Sequence, residues 1–142
     1  MKLNVTKAML GGLAGTAVMT MMMYFVAPTM LGQPMDIAAM LGSMMGNSWA
    51  LGMMAHWMNG VLIFPLLYAF VIYKMLPSSP AVRGALWGMA LWLVAQVVVM
   101  PMMGAGFFSA NAGGLMAVMA SLMGHLFYGG LLGQVAGSPE PV

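Results

Sequence analysis

His56 and His125 are the only imidazoles in the chain, and both have small residues one helical turn away on either side. Gly52 and Gly60 flank His56, and Ser121 and Gly129 flank His125. Imidazole binds transition metals and exchanges protons near neutral pH. On a helix, positions four apart share a face, so each histidine would stand on a flat strip where a planar ring can lie against backbone. Two such strips suit haem b, whose iron takes one imidazole from each side while the porphyrin rests on the small residues. In a square bundle with helix neighbours about 8–10 Å apart, the diagonal is roughly 13 Å, enough for two imidazoles and an iron. The pattern predicts His56 and His125 as metal ligands and Gly52, Gly60, Ser121 and Gly129 as porphyrin-facing positions. Two plainer readings stand beside it. Small-xxx-small rows are a common way for membrane helices to pack, and intramembrane histidines also serve as interhelical hydrogen-bonders or proton relays.

The remaining side chains narrow the chemistry. Haem propionates favour cationic partners, yet every Lys and Arg falls at the far ends of the apolar runs from the histidines, leaving Trp49, Trp57, Tyr24 or backbone to serve. Thioethers with imidazoles suit Cu(I), and there are 22 methionines. Met-xxx-Met occurs four times (Met19/Met23, Met40/Met44, Met54/Met58, Met119/Met123), and chance alone predicts about three or four. The methionines thus read as flexible packing, with copper an alternative resting on Met54, Met58 and Met123 near the histidines. Cysteine is absent, which removes disulfides and thiolate sites. Gln96 and Asn59 read as interhelical hydrogen-bonders, and Asp36 as a helix cap or a proton acceptor above the histidines. No Ser-His-Asp set, carboxylate pair or phosphate loop occurs, so hydrolase and kinase chemistry lack their residues and a non-enzyme is favoured.

These residues must be positioned in a membrane. Of the 142 residues, 63% are apolar and 4% charged, which cannot make a water-soluble surface and excludes a secreted globular domain, a nucleic-acid binder or a disordered chain. The run Ala8 to Pro28 has 21 residues and no small-x-small cleavage pattern; at about 1.5 Å per residue it spans roughly the 30 Å hydrocarbon layer. Trp49–Tyr73, Arg83–Met103 and Ala112–Val135 follow, all without period-2 alternation, so an all-α bundle of four transmembrane helices is predicted. Pro65 should kink the second span and free the Val61 carbonyl, while Pro28 and Pro101 should mark the ends of the first and third. Between the first two spans, Ile37, Met40, Leu41, Met44 and Met45 recur at helical spacing behind Asp36. They predict an interfacial helix over 37–45, ended by Gly46.

Sliding the first span onto the third by 73 positions pairs Gly11 with Gly84, Leu13 with Leu86, Gly15 with Gly88, Ala17 with Ala90, Val26 with Val99, Pro28 with Pro101 and Met30 with Met103. These are seven identities in twenty pairs, where composition predicts about two. A 69-residue slide pairs Met54 with Met123, His56 with His125, Gly60 with Gly129 and Leu62 with Leu131. One domain, 1–142, is expected, built from hairpin repeats over about 8–73 and 81–142 related by a pseudo-twofold along the membrane normal.

The sequence also carries Gly11-Gly12-Leu13-Ala14-Gly15, Asp36 before an amphipathic turn, His56-x-x-Asn59-Gly60, Ser78-Ser79-Pro80-x-x-Arg83-Gly84, Met100-Pro101-x-x-Gly104 and Gly124-His125-Leu126-x-Tyr128-Gly129. In this order of features it resembles a group of small bacterial four-helix membrane proteins of unknown function. The resemblance implies the same architecture and draws attention to the same two histidines, and it brings no activity. The functional expectation is a b-type haem protein for electron transfer or redox sensing. The alternatives are a cofactor-free accessory subunit of a larger membrane complex and a His/Met copper-handling protein. The bilayer is the expected surrounding, with a membrane redox partner, a larger complex or a homo-oligomer as compatible partners and nucleic acid excluded.

Lys2, Lys7, Lys74 and Arg83 all flank the same side of the four spans, and positive flanks are retained in the cytoplasm. Both termini are therefore expected in the cytoplasm, in a bacterial inner membrane. Single cysteines introduced as Thr29→Cys and Ser79→Cys should be labelled by a membrane-impermeant maleimide from opposite sides of oriented vesicles. Labelling of both from one side would contradict this topology.

Overall fold

The computed structural model describes residues 4–76 and 79–138. Lys2 and Ser78, used in the sequence reading, lie outside them. The described residues form helices and turns with no strand. Four helices are long and apolar enough to cross a membrane: α1 (Val5–Leu31), α3 (Trp49–Met75), α4 (Pro80–Met102) and α5 (Gly114–Ala136). Between the first two lies the short α2 (Ile37–Ser43). The protein is a helical integral membrane bundle, and side chains such as Phe25, Phe70 and Leu115 stand exposed on its outer surface, where lipid would cover them.

Asn4 caps α1 by accepting the Lys7 N–H, and Ser48 caps α3 by accepting the Leu51 N–H. Pro101 marks the end of its helix as expected, whereas α1 continues a turn past Pro28. α1 runs on to Leu31, where Gly32 turns left-handed at φ +73°, and α4 runs one residue past its proline. The chain stays helical by widening a turn ahead of each proline. The N–H just before the ring reaches back five residues: Ala27 to Met22, Phe64 to Asn59 and Met100 to Ala95. A π turn of this kind relieves the clash between the ring and the carbonyl four residues back. The turns Met22–Val26 and Ala95–Val99 are themselves 73 residues apart. The interfacial helix is shorter than expected, because the chain leaves α2 at Ser43 and turns through Gly46 and Asn47, both at positive φ.

α5 packs along both α1 and α4, and α1 also packs on α3. Glycines set these approaches. A Cβ on Gly11 or Gly15 would strike the α5 backbone at Leu132 or Tyr128, and one on Gly84 or Gly88 would strike the carbonyl of Gly129 or His125. Between α3 and α4 no packing of similar extent occurs; their meeting includes an edge-on contact of Phe64 with Trp87, centroids 6.5 Å apart. A strict twofold would make the α3–α4 seam equivalent to the α1–α5 contact, so the packing departs from the symmetry that the repeat suggests. Toward the end bearing Lys7, Lys74 and Arg83 the bundle is filled by Tyr68, Tyr73, Trp87, Tyr128 and Leu132. The other half is left with a cavity.

Gly84→Val should destabilise the detergent-solubilised protein by about 1–3 kcal/mol or more, since its side chain meets backbone that cannot yield. Gly130→Ala points into open space and should leave stability unchanged or gain up to about 1 kcal/mol from helix propensity. Unfolding in graded denaturing detergent measures both. Equal stability of Gly84→Val and the parent would contradict the close α4–α5 packing.

Candidate functional site

The site begins with a missing donor. Pro65 has no N–H, so in the π turn Asn59–Ile63 the carbonyl of Gly60, five residues back, has no backbone partner. In lipid an unpaired carbonyl costs several kcal/mol. Tyr128 of α5 satisfies it, its hydroxyl donating to Gly60 O at 2.8 Å. The carbonyl expected to be freed was that of Val61; the wider turn moves the vacancy back one residue. This bond ties α3 to α5, which run in the same direction. His56 lies one turn before Gly60, and His125 three residues before Tyr128, so the two imidazoles stand at the same level just beyond the bridge.

Each imidazole has one nitrogen held. His56 Nε2 lies 2.9 Å from Thr20 Oγ1. The Thr20 hydroxyl already donates to Thr16 O at 2.6 Å, and that of Thr16 donates to Gly12 O. Thr20 must therefore accept, which puts the His56 proton on Nε2 and leaves Nδ1 as a lone pair. His125 Nδ1 lies 2.8 Å from the Ser121 carbonyl, which can only accept, so its proton is on Nδ1 and the lone pair on Nε2. Ser121 is fixed in turn. Its hydroxyl oxygen accepts from Gln96 Nε2, and Gln96 Oε1 accepts from Ser109, with Gln96 fully buried. His56 is thus oriented by α1, and His125 by the preceding turn of its own helix α5.

Both histidines line one cavity of about 180 Å³, mostly apolar and without a charged side chain in its wall. The carboxamide of Asn59, also in the wall, has no protein partner among the described residues. Gln96 and Tyr24 do make the interhelical bonds that polar groups in lipid require, whereas Asn59, expected to do so, does not.

Of the four porphyrin-facing positions, Ser121 and Gly60 border the cavity and Gly52 and Gly129 do not. Gly52 is packed against the Ala38 carbonyl of α2, and Gly129 against Gly84 of α4. Even Gly60 has its Cα face against the Thr16 side chain. The expected flat strips are therefore corrected to helix contacts, because a residue small enough to admit a ring admits a neighbouring backbone equally well. Met54 and Met58, expected beside the histidines, are 60% and 49% exposed on the outer surface, while Met123 lines the cavity. Thr16, Thr20 and the bridging role of Tyr128 were missed; the i, i+4 threonines of the first span were the available signal. Among the described residues no group of three or more His, Cys, Asp or Glu gathers.

Asp36 closes the end opposite Lys7, Lys74 and Arg83. Its carboxylate accepts from Ala39 N–H (2.9 Å), Tyr24 hydroxyl (2.8 Å) and Trp49 Nε1 (3.1 Å to each oxygen), tying α2 to α1 and α3, while its neighbours Met35 and Ile37 line the cavity. Met35 N–H donates to Met23 O at 3.0 Å, the carbonyl that Pro28 leaves without a donor in the first π turn. Partial burial raises the Asp36 pKa, but the donors from Ala39, Tyr24 and Trp49 outweigh it and hold it below the usual carboxylate range.

A four-span helical membrane protein with two oppositely tethered imidazoles on one uncharged cavity is the class these features define. The chain belongs to the family of unknown function DUF6789, whose sequence pattern matches residues 3–140. No curated protein and no solved structure matches it.

With its folded pKa depressed, Asp36 stabilises the fold above its unfolded pKa of about 3.9 and loses that contribution as pH falls through the lower folded value. The thermal midpoint in detergent should therefore drop between about pH 5 and pH 3. Asp36→Ala should cost about 1–2 kcal/mol at neutral pH and flatten the acid dependence. An unchanged acid limb in Asp36→Ala would assign it to other groups.

Proposed function

We propose that His56 and His125 together hold a metal centre inside the bilayer, for electron transfer or redox sensing. The observation that carries this is the tethering. Each imidazole donates one ring N–H to a protein oxygen and keeps its other nitrogen unprotonated and without a hydrogen-bond partner among the described residues, and both rings line a shared cavity. Metal-binding histidines are commonly arranged in this way, with the outer hydrogen bond fixing tautomer and ring orientation. The rest of the cavity wall is uncharged and mostly apolar, and the bilayer supplies no competing ligand.

Of the two metal groups anticipated, the arrangement supports an ion without a macrocycle better than haem b. The cavity is smaller than the roughly 300 Å³ at which pockets for larger ligands begin, and Gly52 and Gly129 offer no surface to a porphyrin. Tyr24 and Trp49, two of the expected propionate partners, are engaged by Asp36. A haem would have to open the loosely packed seam between α3 and α4.

Metal analysis and an absorption spectrum of the purified, detergent-solubilised protein test the reading. Stoichiometric metal is expected, with affinity lowered by roughly tenfold or more in both His56→Ala and His125→Ala, and a Soret band would identify haem. Protein that binds neither metal nor haem, or alanine variants that bind as the parent does, would contradict it and favour a cofactor-free accessory subunit.

A further inference from the structure

We infer that the ion held by the two histidines is a soft monovalent one, Cu(I), and that cavity thioethers complete its coordination. The inference rests on the reading that His56 and His125 bind metal, and names which metal.

Charge is the first ground. No wall residue is charged, and Asp36, the carboxylate at the end opposite Lys7, Lys74 and Arg83, is engaged by Tyr24, Trp49 and the α2 N-terminus. Two neutral imidazoles leave the full charge of a bound cation uncompensated in a medium of low dielectric. That cost grows with the square of the charge, so a divalent ion is disfavoured far more than a monovalent one.

Softness is the second. Seven methionines line the cavity. Thr20 bonds to His56, so on α1 Met19 and Met23 fall within one turn of the His56 level, and Met123 of α5 lines the same cavity from the other flank of the helix. Met19 reaches α5 beside His125, since a Cβ on Gly124 would lie 3.4 Å from its Cγ. Thioether sulfur with imidazole nitrogen is the donor set that selects Cu(I) over Mg(II), Ca(II) or Mn(II). Met54 and Met58 face outward instead and serve as internal controls of the same residue type.

The test is an anaerobic Cu(I) titration of the detergent-solubilised full chain against a chromophoric chelator, repeated with Ag(I) as a redox-silent probe. Met→Leu nearly conserves volume, so the fold should survive, and circular dichroism checks that it does. Met19→Leu and Met123→Leu are each expected to weaken Cu(I) and Ag(I) binding by roughly tenfold or more, as loss of a ligand should cost at least as much as loss of its outer-shell support. Met54→Leu and Met58→Leu should bind as the parent does. If the histidine variants lose metal and the Met19 and Met123 variants do not, the thioether inference fails and the histidine centre stands. A Soret band without Cu(I) affinity has the same consequence. If the parent binds no metal, or the histidine variants bind as well as the parent, both readings fail.

Discussion

Inside a bilayer no water is at hand to pair with a stray backbone carbonyl, so each proline in a spanning helix creates a debt that another group must settle. In this protein the settlement builds the site. The N–H missing at Pro65 strands the Gly60 carbonyl, and Tyr128 reaches across from α5 to bond it. That bond fixes the relative height of α3 and α5, and with it the level at which His56 and His125 face the cavity. The N–H missing at Pro28 strands the Met23 carbonyl, and the Met35 N–H pairs with it. The connecting segment is thereby drawn onto α1 and presents Asp36 to Tyr24 and Trp49.

Close packing and the cavity arise from one asymmetry. Glycines let α5 approach α1 and α4 until backbone meets backbone, and aromatic rings fill the end that carries Lys7, Lys74 and Arg83. α3 and α4 gain no such contact in the other half, and the space between them is lined by flexible methionines and the two imidazoles. Rigid glycine contacts thus surround a region lined by side chains that can adjust.

The spans were legible in the sequence because hydropathy and length are set by the membrane itself, and the Asp36 cap because an acceptor ahead of an amphipathic run has one dominant use. The offsets singled out His56 and His125, which line one cavity, but the twofold relation that the offsets suggested is not reproduced by the helix packing. The small residues around them were misread, because Gly52 and Gly129 look the same in sequence whether they face a ring or a neighbouring helix. The π turns have no sequence signature of their own, three preceding a proline and a fourth, Tyr68–Ile72, preceding none, so the stranded carbonyl was placed at Val61 and not Gly60. Which methionines face the cavity was also hidden, since helix rotation alone separates Met123, in the cavity wall, from the exposed Met54.

The claim on which the functional reading turns is that the two imidazoles are neutral in opposite tautomers, each with its lone pair left for a ligand. Nitrogen-15 NMR of protein labelled at the histidine rings measures this directly, before and after metal loading. The protonated nitrogen should be Nε2 in His56 and Nδ1 in His125, and on loading the resonances of His56 Nδ1 and His125 Nε2 should be the ones displaced. Identical tautomers, or metal-induced shifts confined to the tethered nitrogens, would contradict it.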